Sequence, residues 1–300
     1  MAALYNNIKV KAFGKVNLLL DIVGRREDGY HILNTVMQSV SLYDTLELSL
    51  DETAPEGIEI VCNKEGFPLD SSNLIWKAAE LFKEFSHIQF GGKLIVKVEK
   101  NLPSQAGMGG GSADCAAMLR AMNTYFGTLI DEDDLCMLGA KLGADVPFCI
   151  KGGTRLCQGV GEIMNQLPSL DCGLVIIKPD VSVSTPEAYR RYDLLRNPPR
   201  SNLDYFLKAL ASGNVFSTSI YLFNVFETAI DLPEVNEAKQ ALKEAGALNT
   251  LMTGSGSAVF GVFETEAYAK DAAAKLEGKY GYCQVCTPTK SAYELMWVNR

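Results

Sequence analysis

Histidine is nearly missing from this chain of 300 residues: His31 and His87 are the two it has. No His/Cys/Asp cluster has the spacing of a zinc site, so metal hydrolysis drops out and no metal ligands are assigned. A Gly-x-Ser-x-Gly elbow is missing as well, which removes serine hydrolysis. Basic residues are in deficit, with 28 Lys and Arg against 36 Asp and Glu and a net charge of -8. A general nucleic-acid binder needs a basic stripe. The charge argues against such a partner, though not against an anionic nucleotide held by local dipoles. No apolar run is long enough to span a bilayer. The opening stretch 1–7 lacks the basic-then-apolar pattern of a secretory signal. The expectation is a cytoplasmic protein with no membrane partner. Eight cysteines are present, most of them inside apolar runs, where free cysteine behaves as a small hydrophobe. Cys283-Gln-Val-Cys286 has no second pair, so neither a zinc site nor a disulfide framework is expected.

The chain is 47% hydrophobic and 21% charged, ordinary for a globular protein. Its length fits two domains, placed at 1–160 and 161–300 with the boundary near Gly161. Helices are expected at 74–85, 132–142, 202–212, 233–246 and 265–277, with strands at 8–12, 93–100, 174–178 and 258–263. Asp131 reads as a cap of the second helix and Gly143 as its stop. Alternating helices and strands leave α/β and α+β both open.

The densest signal is Gly107-Met-Gly-Gly-Gly111, where four of five residues are glycine. Before it, Leu94, Val96 and Val98 alternate with Lys97 and Glu99, a strand with one buried face. After it, 113–122 is rich in Ala, Leu and Met and reads as a helix with Ser112 as N-cap. Glycine lets a ligand approach the backbone, and a helix N-terminus offers unpaired N–H groups and partial positive charge. Together they make a phosphate cradle. It is not a P-loop, because Ser112-Ala113 stand where Lys-Ser/Thr is required. It is not a dinucleotide fingerprint either: Ser112 takes the place of the third glycine, and the strand begins past residue 90.

Four other positions admit two readings each. Asp145, between a helix end and Val-Pro, is a reacting acid or the N-cap of the next turn. Lys15, in an apolar run, snorkels to the surface or meets an anion inside. His31, following Tyr30 after the Asp28-Gly29 turn, stacks on a ligand or decorates the surface. Thr253-Gly-Ser-Gly-Ser257 closes over a phosphate or connects a helix to a strand.

Pro103-Ser-Gln-Ala-Gly-Met-Gly-Gly-Gly-Ser112-Ala resembles the phosphate loop of the GHMP small-molecule kinases, the superfamily of galactokinase and of homoserine, mevalonate and phosphomevalonate kinases. Lys15-Val-Asn17-Leu, Gly24-Arg25-Arg26-Glu-Asp28-Gly29-Tyr30-His31, Leu142-Gly-Ala-Asp145-Val-Pro-Phe148 and Thr253-Gly-Ser-Gly256 follow in the order of its branch that acts on 4-diphosphocytidyl-2-C-methyl-D-erythritol, in non-mevalonate isoprenoid biosynthesis. The likeness covers nearly the whole chain. It implies an α+β, two-domain fold with ATP and the small-molecule substrate in the cleft between the domains, and a terminal stretch, 282–298, that returns to pair with the first domain. It implies ATP and Mg2+ as cofactors and transfer of the γ-phosphoryl group to the substrate's tertiary 2-hydroxyl. By the same likeness Asp145 is the base and Lys15 its partner. The nucleotide contacts are Pro103, Ser104, Gln105, Ala106, Gly107, Met108, Gly109, Gly110, Gly111, Ser112 and Ala113, with Asn73 and Lys100 near the adenosine. Asn17, Tyr30, His31, Thr185 and Tyr189 fall on the substrate side. Three positions depart from the family's pattern: Met108 stands for leucine, Ala113 for a second serine, and Tyr189 for phenylalanine. The joint expectation is that Lys15 and Asp145 meet in space. The rival readings are another kinase of the superfamily, with no need of Tyr30-His31 for cytosine, and a non-catalytic ATP-binding protein of the same fold.

Overall fold

Residues 7–51 carry apolar and β-branched side chains so densely that they form two long antiparallel strands, β1 (Asn7–Arg25) and β2 (His31–Asp51). The computed structural model describes residues 4–299. Gly29, at φ +91°, makes the turn between the strands. The expected opening strand and the apolar run after it are thus one element. Its ladder with β2 is not continuous. The register shifts between Phe13 and Lys15, between Asn17 and Leu19, and between Ile22 and Gly24. Such bulges bend a strand and re-aim its side chains. Pairing with β12 (Tyr293–Asn299) ends at Ala12, so the outward N–H groups of β1 beyond it find other partners: Lys15 N–H bonds the Met108 carbonyl at 3.0 Å, and Asn17 N–H bonds Thr253 Oγ1 at 3.0 Å.

β3 (Gly57–Cys62), α1 (Leu74–Ser86), β4 (Lys93–Glu99), α2 (Gly110–Phe126), α3 (Glu132–Leu142) and α4 (Val146–Lys151) follow. β5 (Thr154–Gly159) and β6 (Ile163–Leu167) then extend the sheet from the first half of β2. Helices and sheet share a core in which Val10, Leu46, Leu94 and Val96 meet Phe82, Met118 and Phe126. α2 begins earlier than expected. Its N-cap is Gly109, in the left-handed region, with no side-chain cap, and Ser112 lies inside the first turn. The glycines themselves supply the turn, so no capping hydroxyl occupies the free N–H groups. Asp131 caps α3, accepting from Asp134 N–H at 2.8 Å. Gly143 ends α3 in extended backbone, φ 176°, rather than in a left-handed turn.

The remaining elements are β7 (Gly173–Lys178), α5 (Thr185–Tyr192), α6 (Leu203–Ala211), α7 (Val215–Ile220), β8 (Phe223–Asn224), α8 (Pro233–Glu244), β9 (Asn249–Met252), β10 (Val259–Phe263), α9 (Glu266–Lys275), β11 (Tyr282–Cys286) and β12 (Tyr293–Asn299). A second, antiparallel sheet has the order β11-β7-β10-β9. β7 is apolar along its length because this sheet is covered on both faces. Leu174 and Ile176 pack toward Val16, Val36 and Leu102, while Val175 and Ile177 pack toward Ala188, Leu242 and Ala269. The expected return of 282–298 to the first domain divides in two. β11 joins the second sheet, and β12 runs antiparallel to β1. The first sheet thereby has the order β12-β1-β2-β4-β3, with β8 parallel to β1 at Leu19 and Leu20. The fold is α+β.

One buried carboxylate ties the later half of the chain to β1. Asp21, 2% exposed, accepts Ser201 N–H at 2.8 Å and Ser201 Oγ–H at 2.9 Å, with Arg200 Nη1 at 3.3 Å. Asp21→Ala strands these donors and should lower the unfolding free energy by about 1–3 kcal/mol. Urea unfolding of the purified protein measures it.

Candidate active site

The interrupted ladder of β1 turns Lys15 and Asn17 into a cleft of about 640 Å³. Its walls are the glycine loop, the segment 183–189 and Gly254–Gly256. Lys15 is 3% exposed. Its ammonium donates to Asn17 Oδ1 at 2.7 Å and stands 3.3 Å from Asp145 Oδ2. Asn17 donates in turn to Thr35 Oγ1 at 2.9 Å, and Thr35 donates to the Leu19 carbonyl at 2.8 Å. This chain of donors fixes which way the Asn17 amide faces. Asp145 occupies the cap position of α4 but makes no side-chain cap bond, and its carboxylate opens to the cleft. Of the two readings of each residue, Lys15 has its anion inside and Asp145 is not a cap.

The glycine loop is pinned on both sides. Met108, 1% exposed, is buried with Val16 and Leu102 and passes its carbonyl to Lys15 N–H. Ala258 N–H bonds the Ala106 carbonyl at 3.2 Å, and Thr253 Oγ1–H reaches the Gly107 carbonyl at 3.3 Å. Gly107 is required twice over. Its φ is +73°, and a Cβ there would stand 2.0 Å from the Thr253 carbonyl oxygen. Ala113 N–H makes the first helical bond, to the Gly109 carbonyl at 2.8 Å. The N–H groups of Gly110, Gly111 and Ser112 precede it at the cleft wall. They form an anion cradle with the helix dipole behind it. The turn 253–257 lies against this loop, and Ser255 Oγ meets Thr185 Oγ1 at 3.0 Å.

The sequence-derived residues separate into two groups. Lys15, Asn17, Lys100, residues 103–112, Asp145, Thr185 and Tyr189 line the cleft. Asn73 instead caps α1, accepting Ile75 N–H at 2.9 Å, and donates to the Pro68 carbonyl at 2.6 Å. It thereby holds Pro68 in the cleft wall. Ala113 is buried in the core of α2, where a serine hydroxyl would meet apolar neighbours. His31 backs the cleft: its ring stacks on Tyr189 at 4.7 Å, and its Nε2 lies 2.7 Å from Asp193 Oδ1. Tyr30 is not part of the cleft lining and is 66% exposed. Burial, then the charge of Asp145, pushes the Tyr189 phenol up to about 12, so it remains a neutral hydroxyl.

Lys100 is not free. Its ammonium is bonded to both Asp44 and Asp114, the latter at 2.6 Å. Sequence reasoning missed both acids, together with Thr35, Phe67 and Asn224. Asn224 donates to the carbonyls of Met252 at 2.6 Å and Gly254 at 2.8 Å, and so holds the second glycine turn. A signal existed for two of them, since Asp114 and Asn224 are polar residues set in otherwise apolar runs.

Comparison with known proteins bears on the same residues. The family model for the GHMP kinases N terminal domain matches residues 73–153, and that for GHMP kinases C terminal matches residues 195–283. A 4-diphosphocytidyl-2-C-methyl-D-erythritol kinase of Clostridium botulinum (strain Eklund 17B / Type B) is 40% identical over 276 residues, covering 91% of this chain and 97% of that one. A solved structure of 4-(cytidine 5'-diphospho)-2C-methyl-D-erythritol kinase superposes with a TM-score of 0.79 at 32% identity, over 94% of this chain and 99% of that one. Homoserine kinase from Cytophaga hutchinsonii shares the fold, with a TM-score of 0.78 at 19% identity over 98% of each chain.

Gly107→Ala should prevent the loop from seating against Thr253. The expected outcome is a lowered melting temperature and loss of nucleotide binding, read by thermal unfolding with and without ATP. Unchanged melting with unchanged ATP stabilisation would refute the close approach.

Proposed function

The chain belongs to the GHMP kinases, in the branch of the 4-diphosphocytidyl-2-C-methyl-D-erythritol kinases, and from that premise we propose that its cleft transfers the γ-phosphoryl group of ATP to the 2-hydroxyl of 4-diphosphocytidyl-2-C-methyl-D-erythritol. The observation that carries the mechanism is the Lys15–Asp145 pair, 3.3 Å apart beside the anion cradle. A tertiary alcohol is a weak nucleophile with a high pKa. The Asp145 carboxylate takes its proton as the oxygen–phosphorus bond forms, and ADP leaves with the bridging electrons. The Lys15 ammonium steadies the carboxylate and the developing alkoxide. The N–H groups of Gly110–Ser112 and the dipole of α2 hold the triphosphate in line.

The cradle fits a nucleotide triphosphate by its open N–H groups and its glycines. Mg2+ would neutralise phosphate charge. Among the described residues no group of three or more His, Cys, Asp or Glu side chains converges into a dedicated metal cage. Asn17, Thr185 and Tyr189 are assigned to the substrate side of the cleft, with His31 setting the Tyr189 ring from behind. Tyr30 joins them only if the bound cytosine draws it in. The proposed domains are a nucleotide-binding 1–160 and a second domain 161–300, both contributing to the loop's seat. Among the described residues no helix is long and apolar enough to cross a membrane, and we place the enzyme in the cytoplasm.

The test is ADP release with Mg-ATP and three alcohols offered in parallel: 4-diphosphocytidyl-2-C-methyl-D-erythritol, mevalonate and homoserine. Turnover is expected with the first alone. Asp145→Asn should lower kcat by roughly 10²–10⁴-fold with little change in ATP binding, the scale for loss of a positioned base. Turnover with another alcohol would discard the substrate but keep the kinase. ATP binding without any turnover would favour a non-catalytic binding protein.

A further inference from the structure

One buried acid has no part in the chemistry above. Asp114, near the start of α2, is 1% exposed. Its Oδ2 accepts from Lys100 at 2.6 Å, while its Oδ1 has no hydrogen-bond partner among the described residues. Lys100 is shared with Asp44, but the two carboxylates are not equivalent. Asp44 also accepts the backbone N–H groups of Asn101 at 2.6 Å and Leu102 at 2.8 Å. Its charge is held by three donors and that of Asp114 by one. Where two buried carboxylates share one ammonium, the acid with fewer donors takes the proton. Burial pushes the Asp114 carboxyl up to about 7, with Lys100 opposing and Asp44 adding to the rise. Burial works against the charge of Lys100, but its two carboxylates outweigh that and raise its pKa, so it stays an ammonium.

Two buried thiols also feel the charge of Asp114. Cys115 on α2 is pushed up to about 12 by burial and then by Asp114. Cys149 on α4 is pushed well above the usual thiol range, by burial and then by Asp145, with Asp114 adding less and Lys15 opposing. Both stay neutral near pH 7. The Lys15–Asp145 pair lies beyond Gly109, where a Cβ would stand 3.2 Å from Lys15 Cε. The bridge itself lies directly below the cradle. A Cβ on Gly110, the first residue of α2, would stand 3.5 Å from Lys100 Nζ and 3.7 Å from Asp44 Oδ2. With Asp114 ionised, two carboxylates and one ammonium leave a net negative charge there. With Asp114 protonated the bridge is neutral.

We propose that Asp114 is a positioning residue that gates the phosphate site by its protonation. As a neutral acid it leaves the bridge uncharged and the cradle open to the nucleotide's polyanion. As a carboxylate it places a negative charge under the α2 N-terminus and weakens nucleotide binding. The proposal rests on the reading of the cleft as an ATP site. Binding of ATP then takes up a proton at Asp114.

The test is isothermal titration of ATP into the full chain, without acceptor, in two buffers of different ionisation enthalpy. Wild type is compared with Asp114→Asn between about pH 6.5 and about pH 8.5. The wild-type Kd should weaken roughly fivefold across this range, the scale of one unit charge near a partly screened site. Asp114→Asn should bind ATP more tightly than wild type at the alkaline end and show less proton uptake. The nucleotide's own titration is common to both proteins and cancels in the difference. Equal pH slopes, or weaker binding by the variant throughout, overturn the proposal. The buffer comparison on wild type stands without the variant once the proton carried by free ATP, known from its own titration, is subtracted; zero uptake or net release remaining near about pH 7.5 overturns the proposal as well. No ATP binding by wild type at any pH overturns the ATP-site reading, and this proposal with it.

Discussion

An ammonium group taken out of water must be given back its hydrogen bonds and a counter-charge, or it does not stay buried as a charge. Lys15 imposes that requirement on everything around it. Asn17 supplies an oxygen, oriented by Thr35, and Asp145 supplies the counter-charge across the cleft. Gly109 supplies the room, because a side chain there would press on the lysine stem. Even the free edge of β1 serves the same end. Where the pairing with β12 stops, Lys15 N–H takes the Met108 carbonyl and seats the glycine loop above itself. Charge placement and phosphate cradle are one construction.

That construction draws on both halves of the chain. Thr253 takes Asn17 N–H and reaches the Gly107 carbonyl, and Asn224 holds the turn that carries it. Behind the loop, Leu102 and Met108 share a core with Leu174, Ile176 and Phe260 of the second sheet. Lys15, Asn17 and Asp145 therefore sit on a strand and at a helix start, with the cleft walls backed by packed side chains. A site built this way is held to the tolerance that in-line transfer needs.

Local pattern carried a good part of this. The helices at 74–85, 132–142 and 233–246 and the strands at 93–100 and 174–178 were legible because each buries one face, or both, at a regular period. The glycine loop was legible because so many glycines weaken local order without a ligand or a close contact to justify them. The bulges of β1 were not, since register depends on a partner strand, β2, that the local sequence does not show. Nor was the start of α2 at Gly110, where a hydroxyl two residues later mimics a cap. The pairing of Lys15 with Asp145 was readable only through family likeness, and the donors that orient it are contributed from distant segments. Asn73 shows the reverse case. A residue matched to the nucleotide site sits one layer behind it, because the same side chain that starts α1 also anchors Pro68.

The pairing of β12 with β1 has a consequence in time. Ile8 lies opposite Val298 and Ala12 opposite Tyr293, so among the described strands the first is completed by the last. While the chain is being synthesised, β1 presents a row of unsatisfied N–H and C=O groups along one edge, open to any stray strand. The contact that closes it spans nearly the entire sequence and belongs to the slow, non-local class. The sheet that bears Lys15 is thus finished only after β12 has emerged, long after β1 itself.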